Sequence, residues 1–208
     1  MITNINLIYQ LTENNMKLGI YIGSFNPPHI GHIDITNYLL HNKIVDKILI
    51  VPTLNYWNKN NLIDIKHRIN MLKLIENDKI KIDTKNNKYI YTYELMRKLK
   101  EEYKKYELYL IIGADNIIEF DKWKNYEELL NYKIIIMNRD NIDIYKYIKK
   151  YNTNNFIVIN DYKSIKISST EIRNNLNEEF LDKKILKYIK RNKLYGGNYE
   201  WFKINSFR

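Results

Sequence analysis

Histidine is scarce in this chain, with four in 208 residues, and two of the four fall in one turn, His29-Ile30-Gly31-His32. Residues at i and i+3 of a helix share a face, so a helix entered near His29 would turn both imidazoles toward one ligand. The stretch before them, Gly23-Ser24-Phe25-Asn26-Pro27-Pro28, follows an apolar run, Lys17–Ile22. Gly23 and Gly31 allow backbone or ligand to approach closely where a Cβ would obstruct. The two prolines fix φ and exclude helix until the turn is complete. A helix N-terminus that follows a strand offers N–H groups and a positive dipole end, which suits phosphate. Incidental histidines at a polar helix start, or a zinc-chelating pair one turn apart, are the competing readings. The chain has no cysteine, and its other histidines, His41 and His67, fall in separate predicted helices and read as surface or packing residues.

A second constellation lies far along the chain, Ile167-Ser168-Ser169-Thr170-Glu171-Ile172-Arg173. Ser168 with Glu171 is a capping box, which starts a helix whatever the function. The same cap presents N–H groups beside Ser169, Thr170 and Arg173, all donors suited to a polyphosphate. Alone it reads as a cap; beside the histidine turn it reads as the other half of a phosphate clamp.

Strand-like and helix-like patterns alternate between these motifs. Strands are expected at Lys17–Ile22, Lys47–Val51 (ended by Pro52), Lys79–Asp83, Leu108–Ile112, Lys133–Met137 and Phe156–Ile159. Helices are expected at His29–His41, Asp64–Asn77, Tyr91–Tyr103, Ile142–Tyr151, from Ser168, and at Glu178–Arg191, with a helical turn at Tyr126–Leu130. Continuous apolar runs such as Lys47-Ile-Leu-Ile-Val51 are strands covered on both faces. Alternation of this kind gives an α/β fold with a mostly parallel sheet and helices on both sides. Ligands of such sheets bind beyond the carboxyl ends of the strands. His29, Pro52, Gly113-Ala114-Asp115 and Asn138-Arg139 all follow strands, so they converge on one edge. The polar stretch 53–62 contains Tyr56 and Trp57 and reads as a substrate lid. The division expected is a leader at 1–16, one domain at 17–195 and an aromatic tail at 196–208.

Composition excludes several classes. With 45% hydrophobic residues the chain can bury one well-formed α/β core. No apolar run reaches the length of a membrane span, and the leader has neither a basic n-region nor an apolar core, so a cytoplasmic enzyme is expected. The formal net charge of +10 invites polyanion binding. Lysine is nevertheless spread along the whole chain beside abundant Asn, Ile and 19 Tyr, so a nucleic-acid partner is not expected. A small anionic substrate would be served equally well by that positive field.

The tetrapeptide His29-Ile-Gly-His32 after a strand resembles the signature of the HxGH nucleotidyltransferase superfamily, which includes class I aminoacyl-tRNA synthetases. Combined with Ile167–Arg173, the chain resembles more specifically the nicotinate (nicotinamide) mononucleotide adenylyltransferase family. Pro52, Arg68 before Met71-Leu72, Tyr91-Thr92, Gly113-Ala-Asp115 with Trp123 downstream, and Arg139 agree in order and spacing, over roughly Lys17 to Tyr195. The resemblance implies a Rossmann-like doubly wound parallel sheet. It implies transfer of AMP from ATP to nicotinate mononucleotide, giving deamido-NAD and pyrophosphate in NAD biosynthesis, with Mg²⁺ accompanying ATP. His29, His32 and Arg173 would be the catalytic residues, with His32 on the reacting α-phosphate. Gly23, Ser24, Phe25, Gly113, Asp115, Ser169, Thr170 and Arg139 would complete the ATP site. Asn26, Thr92, Trp123 and Lys124 would receive the acceptor, with Trp123 stacked on the pyridinium ring. A Trp that merely anchors the following helix is the alternative for Trp123, and Asp115 would equally serve as a helix cap. No protein-built metal site is implied, and oligomerisation is left open.

The chain departs from the family at Asn26, where many relatives carry Asp, and at Asn55–Lys59, which replaces the family's usual lid. Tyr56, Trp57 and Lys59 are therefore only lid candidates. Dual acid and amide specificity and a pantetheine-phosphate acceptor are the neighbouring readings. A basic RNA-binding protein of similar fold is the reading from another class.

Overall fold

The computed structural model describes residues 15–54, 62–138, 142–175 and 177–196. Expectations for Tyr56, Trp57, Lys59 and Arg139, and for the leader before residue 15 and the tail beyond residue 196, lie outside the described residues.

Six strands form one sheet: β1 (Met16–Gly23), β2 (Lys47–Pro52), β3 (Ile80–Ile82), β4 (Tyr106–Gly113), β5 (Lys133–Met137) and β6 (Phe156–Ile159). Their order is β3-β2-β1-β4-β5-β6, and every pairing is parallel. This is the doubly wound order, whose direction reverses between β1 and β4. The helices are α1 (Ile30–His41), α2 (Ile65–Lys73), α3 (Thr92–Glu102), α4 (Ala114–Ile118), α5 (Tyr126–Leu129), α6 (Ile144–Ile148), α7 (Ser169–Asn175) and α8 (Lys183–Arg191). Among the described residues, no helix is long and apolar enough to cross a membrane.

The strands are apolar on both faces because both faces are covered. Alternate residues of β4 divide between two cores: Leu108, Leu110 and Ile112 on one side, Tyr109 and Ile111 on the other. Strand β5 divides in the same way, Ile134 and Ile136 against Ile135 and Met137. Full burial of such a side chain contributes roughly 1.5–3 kcal/mol, and these positions are 0–6% exposed. A third, smaller cluster packs Met71 of α2 against Ile172 of α7 and Leu181, Ile185 and Ile189 around α8. That cluster moors the second motif beside the first.

Three expectations are corrected. Residues 178–191 do not form one helix. A helical turn at Glu178–Phe180 ends, and α8 starts afresh where the Asp182 carboxylate accepts the Lys184 N–H at 2.8 Å. The helix expected through Asn77 stops at Lys73, because the Asn77 side chain instead accepts the N–H groups of Lys79 and Ile80 and turns the chain into β3. Helix α6 is only Ile144–Ile148. The short helix α4 was not expected at all.

Candidate active site at the switch between β1 and β4

A cleft of about 370 Å³ opens beyond the carboxyl ends of β1 and β4. Gly23, Ser24, Phe25 and His32 line one side, Gly113, Asp115 and Asn116 the other, and Thr92 and Trp123 one end. The reversal of strand order creates this opening, because the connections from β1 and β4 leave on opposite faces of the sheet.

His29 is the N-cap of α1 and is 3% exposed. The two histidines bind reciprocally: the His32 N–H donates to His29 O at 2.9 Å, and His32 Nδ1 accepts the His29 N–H at 3.2 Å. Their ring centroids are 3.7 Å apart. A neutral imidazole that accepts at Nδ1 carries its proton on Nε2. His32 therefore keeps an N–H donor on the ring edge away from its own backbone, while the ring lines the cleft. Gly31 leaves room for the His29 ring, which a Cβ there would crowd at 3.1 Å. At Gly23, Phe25 occupies the space a side chain would take, its ring 3.1 Å from where a Cβ would sit. Phe25 itself is 2% exposed, has φ of 46°, and packs edge-on to His32 at 5.0 Å. Only its backbone can serve a ligand.

On the β4 side, Gly113 caps α4, and a Cβ there would collide with the Asp115 carboxylate. Asp115 lies in the first turn of α4 and does not cap it; Gly113 does. Its exposed carboxylate is folded over Gly113 at the mouth of the cleft.

The second motif docks directly on the first. Ser169 Oγ donates to Pro27 O at 3.0 Å, and Arg173 Nη1 donates to Asn26 O at 2.8 Å. Arg173 Nη2 also reaches Thr170 Oγ1 at 3.0 Å. The capping box forms as its spacing requires, with Glu171 accepting from Ser168 N–H at 2.8 Å and Ser168 Oγ at 2.7 Å. These bonds, the hydroxyl first and then the backbone N–H, hold the Glu171 carboxyl below its ordinary range. Ser169, Thr170, Arg173 and His29 flank the turn without lining the cleft itself.

Trp123 and Thr92 also line an adjoining hollow of about 580 Å³ with Ile90, Tyr91, Glu119, Lys122 and Lys124. Thr92 opens α3, at the end where helix N–H groups lack intrahelical partners. Trp123 packs on Phe120 at 5.4 Å and is half-buried, so it both anchors the core and presents a face to the hollow. Asn26 does not join these residues. It is 1% exposed, and its Oδ1 accepts Ile63 N–H at 3.3 Å and Tyr195 O–H at 2.9 Å.

Arg68, which the sequence offered as a point of family resemblance, and Tyr195 belong to the site region although the sequence assigned neither a role there. Arg68 is 1% exposed, and Tyr195 reaches the turn from the far end of the chain. One signal was available for Arg68: Ile65, Arg68 and Leu72 share the spacing of the buried stripe of α2.

Among the described residues, no group of three His, Asp or Glu side chains converges as a metal site. The carboxylate lining the cleft is Asp115.

Comparison with known proteins agrees with this layout. A family model described as cytidylyltransferase-like matches residues 20–175. Relatives named "probable nicotinate-nucleotide adenylyltransferase" from Acholeplasma laidlawii and Fusobacterium nucleatum subsp. nucleatum are each 38% identical over 189 residues. The matches cover 85% of this chain and 96% and 98% of theirs. The solved nicotinic acid mononucleotide adenylyltransferase of Plasmodium falciparum, complexed with NaAD, superposes with a TM-score of 0.74 at 27% identity. That match covers 89% of this chain and 100% of the other. The fold is that of a nucleotidyltransferase. The chain belongs to the nicotinate-nucleotide adenylyltransferase family within the HxGH-type superfamily.

Proposed function

We propose that the protein transfers AMP from ATP to nicotinate mononucleotide, releasing pyrophosphate and forming deamido-NAD by direct in-line attack. The observation that carries this reading is the junction of two hollows. The cleft holding His32 and the hollow holding Lys124 share Thr92 and Trp123, so two substrates bound in them would meet there. The NaAD of the Plasmodium falciparum structure is the dinucleotide such a meeting would produce.

The attacking group needs little activation. A phosphate monoester has its second pKa near about 6, so the 5′-phosphate is largely dianionic at pH 7. Catalysis then consists of alignment and stabilisation of charge on the reacting α-phosphate. His32 Nε2–H is a donor fixed in tautomer by its bond from His29, and it needs no reorientation as that charge develops. His29, buried at the helix start, sets the His32 ring. Ser169, Thr170 and Arg173 receive the β- and γ-phosphates, Arg173 with guanidinium N–H groups beyond the two directed at Asn26 and Thr170. Mg²⁺ carried on ATP would neutralise the departing pyrophosphate. Gly113 and Asp115 face the adenosine, and Arg139 is proposed to assist the nucleotide. Trp123 stacks on the cationic pyridinium ring, and the N-terminus of α3 at Thr92, with the N–H of Lys124, receives the nicotinate carboxylate.

This last point makes the acid mononucleotide the preferred acceptor. Measuring kcat/KM for the acid and the amide tests it, with the acid expected to win clearly. Equal values would make the enzyme dual-specific, and turnover of phosphopantetheine alone would replace the acceptor assignment.

A further inference from the structure

We infer that Arg68 is a positioning residue for the phosphate side of this cleft: it pins the Ser24–Phe25 peptide and polarises the Phe25 N–H that the turn offers to an anion. The inference rests on the adenylyltransferase reading above.

Strands β1 and β2 stay in register to the pair Gly23 and Pro52, and Thr53 N–H still reaches Gly23 O at 2.9 Å. Beyond that point the chains part. Arg68 takes the carbonyls of the diverging segments: Nη1 donates to Ser24 O and to Thr53 O, each at 2.7 Å, and Nε donates to Ile63 O at 3.1 Å. A planar fork can serve three carbonyls from three segments, whereas the ammonium of a lysine is a single point on a flexible stem.

Two consequences follow at Ser24–Phe25. The peptide is trans, so its N–H points away from the bond that its carbonyl accepts from Arg68. A charge-assisted bond at the carbonyl strengthens the N–H of the same peptide as a donor. Phe25 also holds φ of 46°, which a non-glycine residue keeps only where its surroundings enforce it. The anchored Ser24 carbonyl on one side and the buried Phe25 ring against His32 on the other supply that enforcement. Burial draws the guanidinium below its ordinary range, against opposing contributions from Tyr195 and Asp64. The group nevertheless stays cationic, as arginine does in proteins. A positive charge thus sits directly behind the turn.

The test measures ATP affinity by titration calorimetry, steady-state kinetics and melting temperature for the full chain and three variants. Arg68→Met removes fork and charge, Arg68→Lys keeps the charge, and Ile144→Ala destabilises the buried core at a position outside the cleft lining. Arg68→Lys is expected to weaken ATP binding and lower kcat by about tenfold each, and Arg68→Met by more, from the loss of charged hydrogen bonds. KM for nicotinate mononucleotide should stay within about twofold, since Arg68 has no role in the acceptor hollow, and Ile144→Ala should keep wild-type ATP affinity below its melting temperature. Should Arg68→Met fail to fold, Arg68→Lys decides. The inference is overturned if Arg68→Lys binds and turns over ATP like the wild type. It is also overturned if Ile144→Ala loses ATP affinity equally, or if both substrates weaken together. A wild type that binds ATP but makes no dinucleotide would sink the acceptor reading alone, leaving the ATP-affinity arm to judge Arg68.

Discussion

The two ends of the cleft are built in different ways. At the phosphate end, the turn after β1 is braced from four segments: Arg68 of α2, Ser169 and Arg173 of α7, Ile63 before α2, and Tyr195 near the end of the described chain. At the acceptor end, Thr92 begins a helix and Trp123 leans on Phe120, and the flanking helices α3 and α5 share an apolar core that includes Leu95, Leu99 and Leu129, with the pair Arg97–Glu128 at 2.7 Å outside it. One end is a rigid polar frame. The other is an aromatic face and a helix terminus. The difference follows from the chemistry asked of each: charge that develops during reaction must meet donors already in place, while an acceptor ring needs only area and an electrostatic match.

Substitutions can break or sharpen this contrast. The largest effect is expected at His32. His32→Ala should lower kcat by at least about a hundredfold, the usual result of losing one preorganised donor at about 3–4 kcal/mol of barrier. Substrate binding should change much less, which single-turnover and steady-state assays can separate. A variant within about fivefold of wild type would remove His32 from the chemistry.

At the acceptor end, Trp123→Ala should act mainly on KM for the mononucleotide. A ring–cation contact of about 0.5–2 kcal/mol corresponds to roughly a 2- to 30-fold increase. Trp123→Phe should recover most of it. If Trp123→Ala instead lowers kcat and leaves KM unchanged, the aromatic end is not an affinity element, and the contrast fails.

Tyr195→Phe removes one brace of the frame and leaves Asn26 Oδ1 its bond from Ile63. A single neutral hydrogen bond is worth about 1 kcal/mol, so thermal denaturation should show a loss of roughly 2–4 °C for a chain of this size. Activity should fall by less than about tenfold, since the other braces remain. The smallest effect belongs to Arg97→Ala. Its partner pair is solvent-exposed, with Arg97 at 60%, and such pairs contribute about 0–1 kcal/mol. Stability and both KM values should be nearly unchanged; a large activity loss would mean that the acceptor end depends on framing as much as the phosphate end does.

Much of this was legible in sequence. Strands β5 and β6 run over the residues that their apolar patterns mark, Lys133–Met137 and Phe156–Ile159, β5 buried on both faces and β6, at the sheet edge, partly covered on both. The Ser168–Glu171 box was legible too, since local hydrogen bonds depend on spacing along the chain; the bond between the two histidines was not foreseen from their spacing. What stayed hidden depended on carbonyls. Arg68 sits in a buried stripe, yet its partners are backbone oxygens of Ser24, Thr53 and Ile63, and no side-chain pattern marks those. Asn26 was expected to face the acceptor and is instead a buried junction, because its Oδ1 is taken by the Ile63 N–H and by a Tyr195 hydroxyl far along the chain. The break before α8 had a visible signal in Asp182, which the surrounding helix-forming residues obscured.

The most direct test mixes the protein with ATP, Mg²⁺ and nicotinate mononucleotide and follows pyrophosphate and dinucleotide together. Equal amounts of both should appear, only when both substrates are present, and almost none with His32→Ala. Pyrophosphate released without the acceptor, or no dinucleotide from the wild type, would contradict direct transfer across the β1–β4 cleft.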